Sequence, residues 1–213
     1  TIQGGTTSGI HGEGSQSWIT ANQNTFYGDL FIAGSKGEIS GNNFIGQYAE
    51  IKVHSLSGSY AIIDGNTFTY SGNGMAVSAS DYSETLSPPQ APETASSVEF
   101  LNNVVTGGDT GVYLGDGVDF IIQNNTIEDT GTAIEFWTAT SAMRNMVIRD
   151  NFIKNIKRKR VTEGHGIAIS GENNNSFGLR TGCKVYGNII VHTEGAGISS
   201  NTKDQVEVYN NVI

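Results

Sequence analysis

The stretch FIIQNNTI, residues 120–127, alternates inward-type and outward-type residues and then breaks at two asparagines. Period-two alternation marks a strand with one buried face, and an asparagine pair marks a bend. The phrase recurs as ITANQNTF (19–26), EISGNNF (38–44), AIIDGNTF (61–68), VEFLNNVV (98–105), MVIRDNFI (146–153), CKVYGNII (183–190) and VEVYNNVI (206–213). The shared asparagines are Asn24, Asn42, Asn66, Asn103, Asn125, Asn151, Asn188 and Asn211, at steps of 18, 24, 37, 22, 26, 37 and 23 residues. Steps of 22–26 suit one turn of a β-solenoid, and each step of 37 requires an inserted loop.

A second, mostly glycine-led phrase precedes the first in each repeat: GMAV (74–77), GVYL (111–114), AIEF (133–136), GIAI (166–169) and GISS (197–200). Two or three short strands per repeat form a coil that buries its apolar side only by stacking on its neighbours. The repeated asparagine suits a bend, because it tolerates left-handed backbone angles. Stacked asparagines also satisfy one another's buried polar groups. Two positions later stands an apolar row: Phe26, Phe44, Phe68, Val105, Ile127, Ile153, Ile190 and Ile213. Its first three members predict an aromatic stack. Three positions before the ladder runs another row, from Ala21 and Ile39 to Val185 and Val208. Cys183, the only cysteine, aligns with Val98, Phe120 and Val206, which predicts a small buried hydrophobe.

With these rows the sequence resembles the right-handed parallel β-helix superfamily, which includes pectate lyases, polygalacturonases, the chondroitinase B and alginate lyase family, mannuronan epimerases and phage tailspikes. The resemblance covers essentially the whole chain. It implies an all-β, right-handed parallel β-helix of about eight coils with an asparagine ladder, as a single domain over 1–213. No amphipathic N-terminal helix opens the chain, and it starts at Thr1 and stops straight after an asparagine phrase. The expectation is therefore a segment of a longer polypeptide without its caps, or a solenoid that packs end-on or as a trimer.

The net charge of −9 argues against nucleic-acid binding. No apolar run is long enough to span a bilayer as a helix. An extracellular or cell-surface location is expected from the resemblance. Insertions are expected at 81–96, 154–166 and 171–182. The second carries Lys154, Lys157, Arg158, Lys159 and Arg160, five of the chain's twelve basic residues, as a positive island on an acidic body.

Enzymes of this fold place the substrate groove along the outer face of the glycine-led strand. Alternation predicts two outward rows there. One is Phe31, Lys52, Ala76, Tyr113, Glu135 and Ala168; the next is Ala33, His54, Ser78, Gly115, Trp137 and Ser170. Aromatic faces stack on sugar rings, and charges fix hydroxyls or uronates. Phe31, Tyr113, Trp137, Arg158, Arg160 and His165 are thus candidate substrate contacts, with Lys52, His54 and Glu135 as candidate catalytic groups. A uronate lyase needs a base and a cation beside the uronate carboxylate. Lys52 or His54 supplies the base, and Glu50, Asp81 and Asp116, with Glu135, offer oxygen ligands for Ca²⁺.

YAEIKVHS (48–55) resembles the lysine-bearing strand of the chondroitinase B and alginate lyase family. The Arg-His-Gly-Asn phrase expected one coil later is replaced by GMAVSASD (74–81). EGHGIAIS (163–170) resembles the Gly-His-Gly of polygalacturonases, but the preceding coil, GTAIEFWTAT (131–140), has no aspartate pair. Carboxylates on adjacent coils, such as Asp116 and Glu135, leave a glycoside hydrolase open. A non-catalytic carbohydrate-binding adhesin or a tailspike-like solenoid would use the same face. The expected partner is an anionic polysaccharide. His165 aligns with Asn73, Thr110, Thr132 and Ala196, a corner position, which favours a structural role for it.

Overall fold

The computed structural model describes residues 10–13, 18–33, 36–47, 49–54, 59–80, 97–115, 119–138, 145–159, 162–171, 182–201 and 206–213. They form 23 strands, β1 (Ile10–Glu13) to β23 (Val206–Tyr209). Every third strand joins the same parallel sheet, giving two sheets of eight strands and one of seven. The expected eight coils are present, seven with three strands and the last with two.

The ladder forms as the spacing predicted. Asn125 donates from its backbone N and its Nδ2 to Asn151 Oδ1, at 3.0 and 2.9 Å. Its own Oδ1 accepts the same pair of bonds from Asn103, at 2.8 and 3.2 Å. Its Nδ2 also reaches Phe100 O in the preceding coil, at 2.9 Å. Rungs of this kind run from Asn24 through Asn42 and onward to Asn188 and Asn211. Asparagine alone supplies both a donor and an acceptor at this length, so the row can repeat indefinitely.

The bend itself is made one residue earlier than expected. Positive φ falls on Gln23, Gly41, Gly65, Asn102, Asn124, Asp150, Gly187 and Asn210, each immediately before a ladder asparagine. The ladder residue is therefore selected for its amide. Its predecessor absorbs the left-handed angle, which explains why that position is mostly Gly, Asn or Asp.

Phe26, Phe44 and Phe68 stack as predicted, with centroids 4.7 Å apart and rings within 9° and 12° of parallel. Strand spacing near 4.8 Å imposes that separation. Each ring is fully buried, worth about 2–3 kcal/mol apiece. Cys183 is buried in the row expected for it. In the last coil Val208 and Ile213 are exposed.

The first sheet comprises β1, β4 (Leu30–Ala33), β7 (Ile51–His54), β10 (Met75–Ser80), β13 (Thr110–Leu114), β16 (Thr132–Thr138), β19 (Ile167–Gly171) and β22 (Ile198–Asn201). Its glycine lead reflects close stacking. A Cβ at Gly111 would lie 2.5 Å from Ala133 O, and one at Gly166 the same distance from Gly197 O.

Register corrects one expected row. Val77, not Met75, lies opposite Val112, and Ser78 opposite Lys52 and Tyr113. Ala76 is fully buried. The turn at 71–74 shifts β10 along the sheet relative to the other strands, which alternation alone does not reveal. The basic segment also begins as structure: Lys154 and Asn155 lie within a strand, Phe152–Ile156. The insertion expected at 81–96 lies outside the described residues, as do residues 172–181 of the one expected at 171–182.

Candidate functional site

The outer face of the first sheet carries one continuous register row: Phe31, Lys52, Ser78, Tyr113, Glu135 and Ala168. Five of the six positions match the alternation pattern; Ser78 stands where Ala76 was expected. Trp137 lies in the next row, opposite Ser170, with 37% of its surface exposed. His54 closes β7 opposite Ala33 and Ser80. Asp81, Asp116 and Arg160 lie outside the described residues.

At one end of the row three charged groups meet. Lys52 Nζ donates to Asp29 Oδ2 at 2.7 Å and lies 3.8 Å from Glu50 Oε2. Asp29 Oδ1 accepts from the Glu50 backbone N at 3.1 Å. Asp29 and Glu50 occupy the same place in adjacent coils, each just before the first inward residue of its strand. Glu50 meets Lys52 and Ser78 of the outer row. It is buried, and its Oε1 has no partner among the described residues. Burial pushes its carboxyl up to about 7, although a bond from Ser78 and the charge of Lys52 act the other way. Burial alone would lower Lys52; the bond to Asp29 and the charge of Glu50 outweigh it and hold the ammonium above its ordinary value. Lys52 thus stays cationic. Lys52 and Glu135 do not meet, because two strands, β10 and β13, separate theirs.

A second group gathers around Glu135. Burial raises its carboxyl, a bond from Thr110 lowers it, and the charge of Glu163 raises it. His165 lies at the turn before β19, aligned with Thr132, Thr110 and Ala196 but with Met75 in place of Asn73. Its Nδ1 accepts from the Ala196 backbone N at 2.8 Å, and its Nε2 is 2.7 Å from Glu163 Oε2. A backbone N–H only donates, so Nδ1 carries the lone pair and Nε2 the proton. The ring bridges two coils and leaves no free lone pair for a base role.

The basic segment is partly spent on structure. Lys154 pairs with Glu128 at 2.7 Å, and Lys159 Nζ caps Gly108 O and Asp129 O at 2.6 and 3.0 Å. Arg158 is exposed, and its backbone N donates to Glu194 Oε2 at 2.9 Å. Of the expected calcium ligands, Glu50 faces an ammonium. Among the described residues no three His, Cys, Asp or Glu side chains converge on a metal-sized site. The described residues by themselves therefore do not fit the ion.

Sequence reasoning missed Asp29 and Glu163 and set Ser78 in the neighbouring outward row. Asp29 carries a signal after the fact: GDL (28–30) sets an acid directly before an inward leucine, as AEI (49–51) does one coil later. Ser78 required the true register, and Glu163 depends on how the loop folds back.

A family model for the right handed beta helix region matches residues 30–213. No curated protein and no solved structure matches the chain.

Proposed function

Because the chain belongs to the right-handed β-helix family, a solenoid fold suited to carbohydrate-active proteins, we propose that the outer face of its first sheet binds an acidic polysaccharide and cleaves it by β-elimination. The observation that carries this reading is the row Phe31–Lys52–Ser78–Tyr113–Glu135, in which one cation held by Asp29 and the buried Glu50 stands among aromatic and hydroxyl groups.

Lys52, fixed by Asp29, engages the uronate carboxylate and stabilises the negative charge that develops when the neighbouring carbon loses its proton. His54, two residues along the same strand, takes that proton. The electrons then form the carbon–carbon double bond as the glycosidic oxygen departs. Tyr113, Trp137 and Glu135 bind neighbouring sugars along the groove, with Glu135 roughly 14 Å from Lys52 by strand count. The raised, hydrogen-bonded state of Lys52 suits a carboxylate anchor better than a neutral base. A hydrolase at Asp29 and Glu50 is less well supported, since the Lys52 ammonium lies against both carboxyls. A secreted or cell-surface setting accords with such a substrate.

Incubation with polygalacturonate, alginate and chondroitin, followed at the absorbance of an unsaturated uronate, tests the reading. Product formation that is lost in Lys52→Ala and His54→Ala supports it. Unchanged activity in both variants overturns the assigned roles. The second reading, a binding module, is favoured by the same pinned state of Lys52. It predicts retention on a polysaccharide column with no product.

A further inference from the structure

A cleft of about 410 Å³ opens at the turn edge of the first sheet, lined by Tyr70, Ser71, Gly72, Asn73, Gly108, Asp109 and Lys159. Two turns from successive coils, 71–74 and 107–109, form its walls, and the basic segment supplies its roof through Lys159. It adjoins the starts of β10 and β13, the strands that carry Ser78 and Tyr113.

Its polar groups are unspent. Among the described residues the Asp109 carboxylate, the Asn73 amide and the Ser71 hydroxyl have no hydrogen-bond or ion partner, while the ladder amides nearby are saturated. Lys159 caps two carbonyls and keeps a third N–H. The walls are held rigidly. Gly107 and Gly108 adopt φ of 82° and 86°, and a Cβ on either would collide with a carbonyl of the neighbouring turn. Tyr70 is fixed beneath by its hydroxyl, whose one proton lies between Ala49 O and Met75 O, at 2.7 and 2.8 Å. A preformed hollow with one carboxylate acceptor, one amide and one cationic donor matches a ring bearing several hydroxyls.

We propose that this cleft is a sugar subsite that takes one hydroxylated ring of the glycan bound along the groove. Asp109 accepts from adjacent hydroxyls, and Asn73 and Lys159 donate to ring or hydroxyl oxygens. The proposal rests on the polysaccharide reading above for its ligand class, but not on the role of Lys52. Recognition here is by hydroxyls, so it does not require the uronate charge.

The test is an amide NMR titration of the whole chain with tetramers of galacturonate and of mannuronate, each as free acid and as methyl ester. Shifts at Ser71–Gly74 and Gly107–Asp109 are expected with both forms of at least one tetramer. Asp109→Ala is expected to weaken that response about tenfold or more, and Asn73→Ala less. Shifts along Phe31, Lys52 and Ser78 are expected with the free acid only, and lost in Lys52→Ala. A cleft that responds while the row stays silent supports the subsite and overturns the Lys52 reading. A cleft silent to all four tetramers, or one whose response survives Asp109→Ala unchanged, overturns the proposal.

Discussion

The interior of the solenoid and the outer face of its first sheet are built on opposite plans. Inside, the same residue types recur coil after coil, and every amide of the ladder is used twice or more. Outside, successive strands present Phe31, Lys52, Ser78, Tyr113 and Glu135, with no repetition. The repeated interior gives successive coils the same kinds of contact. The unrepeated exterior makes each coil distinct in chemistry. Stability can be spread along the axis while a site is confined to a few coils.

The sharpest way to break this contrast is to empty the site and leave the scaffold. Lys52→Ala is expected to lower formation of unsaturated uronate about a thousandfold, the scale of losing one preorganised charge partner. Circular dichroism should keep its strand signal, and Lys52→Arg should keep more of the activity than Lys52→Ala.

Attacking the scaffold should do the reverse. Asn125→Ala is expected to cost about 3 kcal/mol in denaturant unfolding, because the Asn103 donors and Phe100 O lose their partner in the interior. Asn24→Ala, at a half-exposed rung, should cost about 1 kcal/mol. Equal losses at the two rungs would show that the ladder is not where stability resides.

Glu50 stands at the boundary of the two plans, and pH separates its contributions. Its carboxyl titrates near 4.5 unfolded and at about 7 folded, so between those values the folded chain holds the extra proton. Stability from this group is therefore full below about 4.5 and is lost as pH rises through about 7. Relative to the wild type, Glu50→Gln should gain on the order of 3 kcal/mol between the two pH limits. Parallel stability profiles for the two proteins would remove Glu50 from the account.

The smallest effect is expected at the exposed Lys154–Glu128 pair. Glu128→Gln should leave the thermal midpoint almost unmoved, since the partners are solvated and salt screens them. A clear fall would mean that the third sheet's surface carries stability as its interior does.

The sequence by itself determined the interior: the stacked parallel coil of two or three strands, the ladder from Asn24 to Asn211, the Phe26–Phe44–Phe68 stack and the burial of Cys183. Those features repeat at fixed offsets within a coil, so local pattern suffices to read them. It also placed Phe31, Lys52, Tyr113 and Glu135 in one outward row. Only the tertiary structure decided what touches what between coils. The turn at 71–74 moved β10 and exchanged Ala76 for Ser78. The residue before each rung, not the rung, took the left-handed angle. Asp29 met Lys52, and Lys159 reached Gly108, across coils joined by loops of unequal length. Such contacts depend on how many residues each turn consumes, a quantity that hydrophobic periodicity does not record.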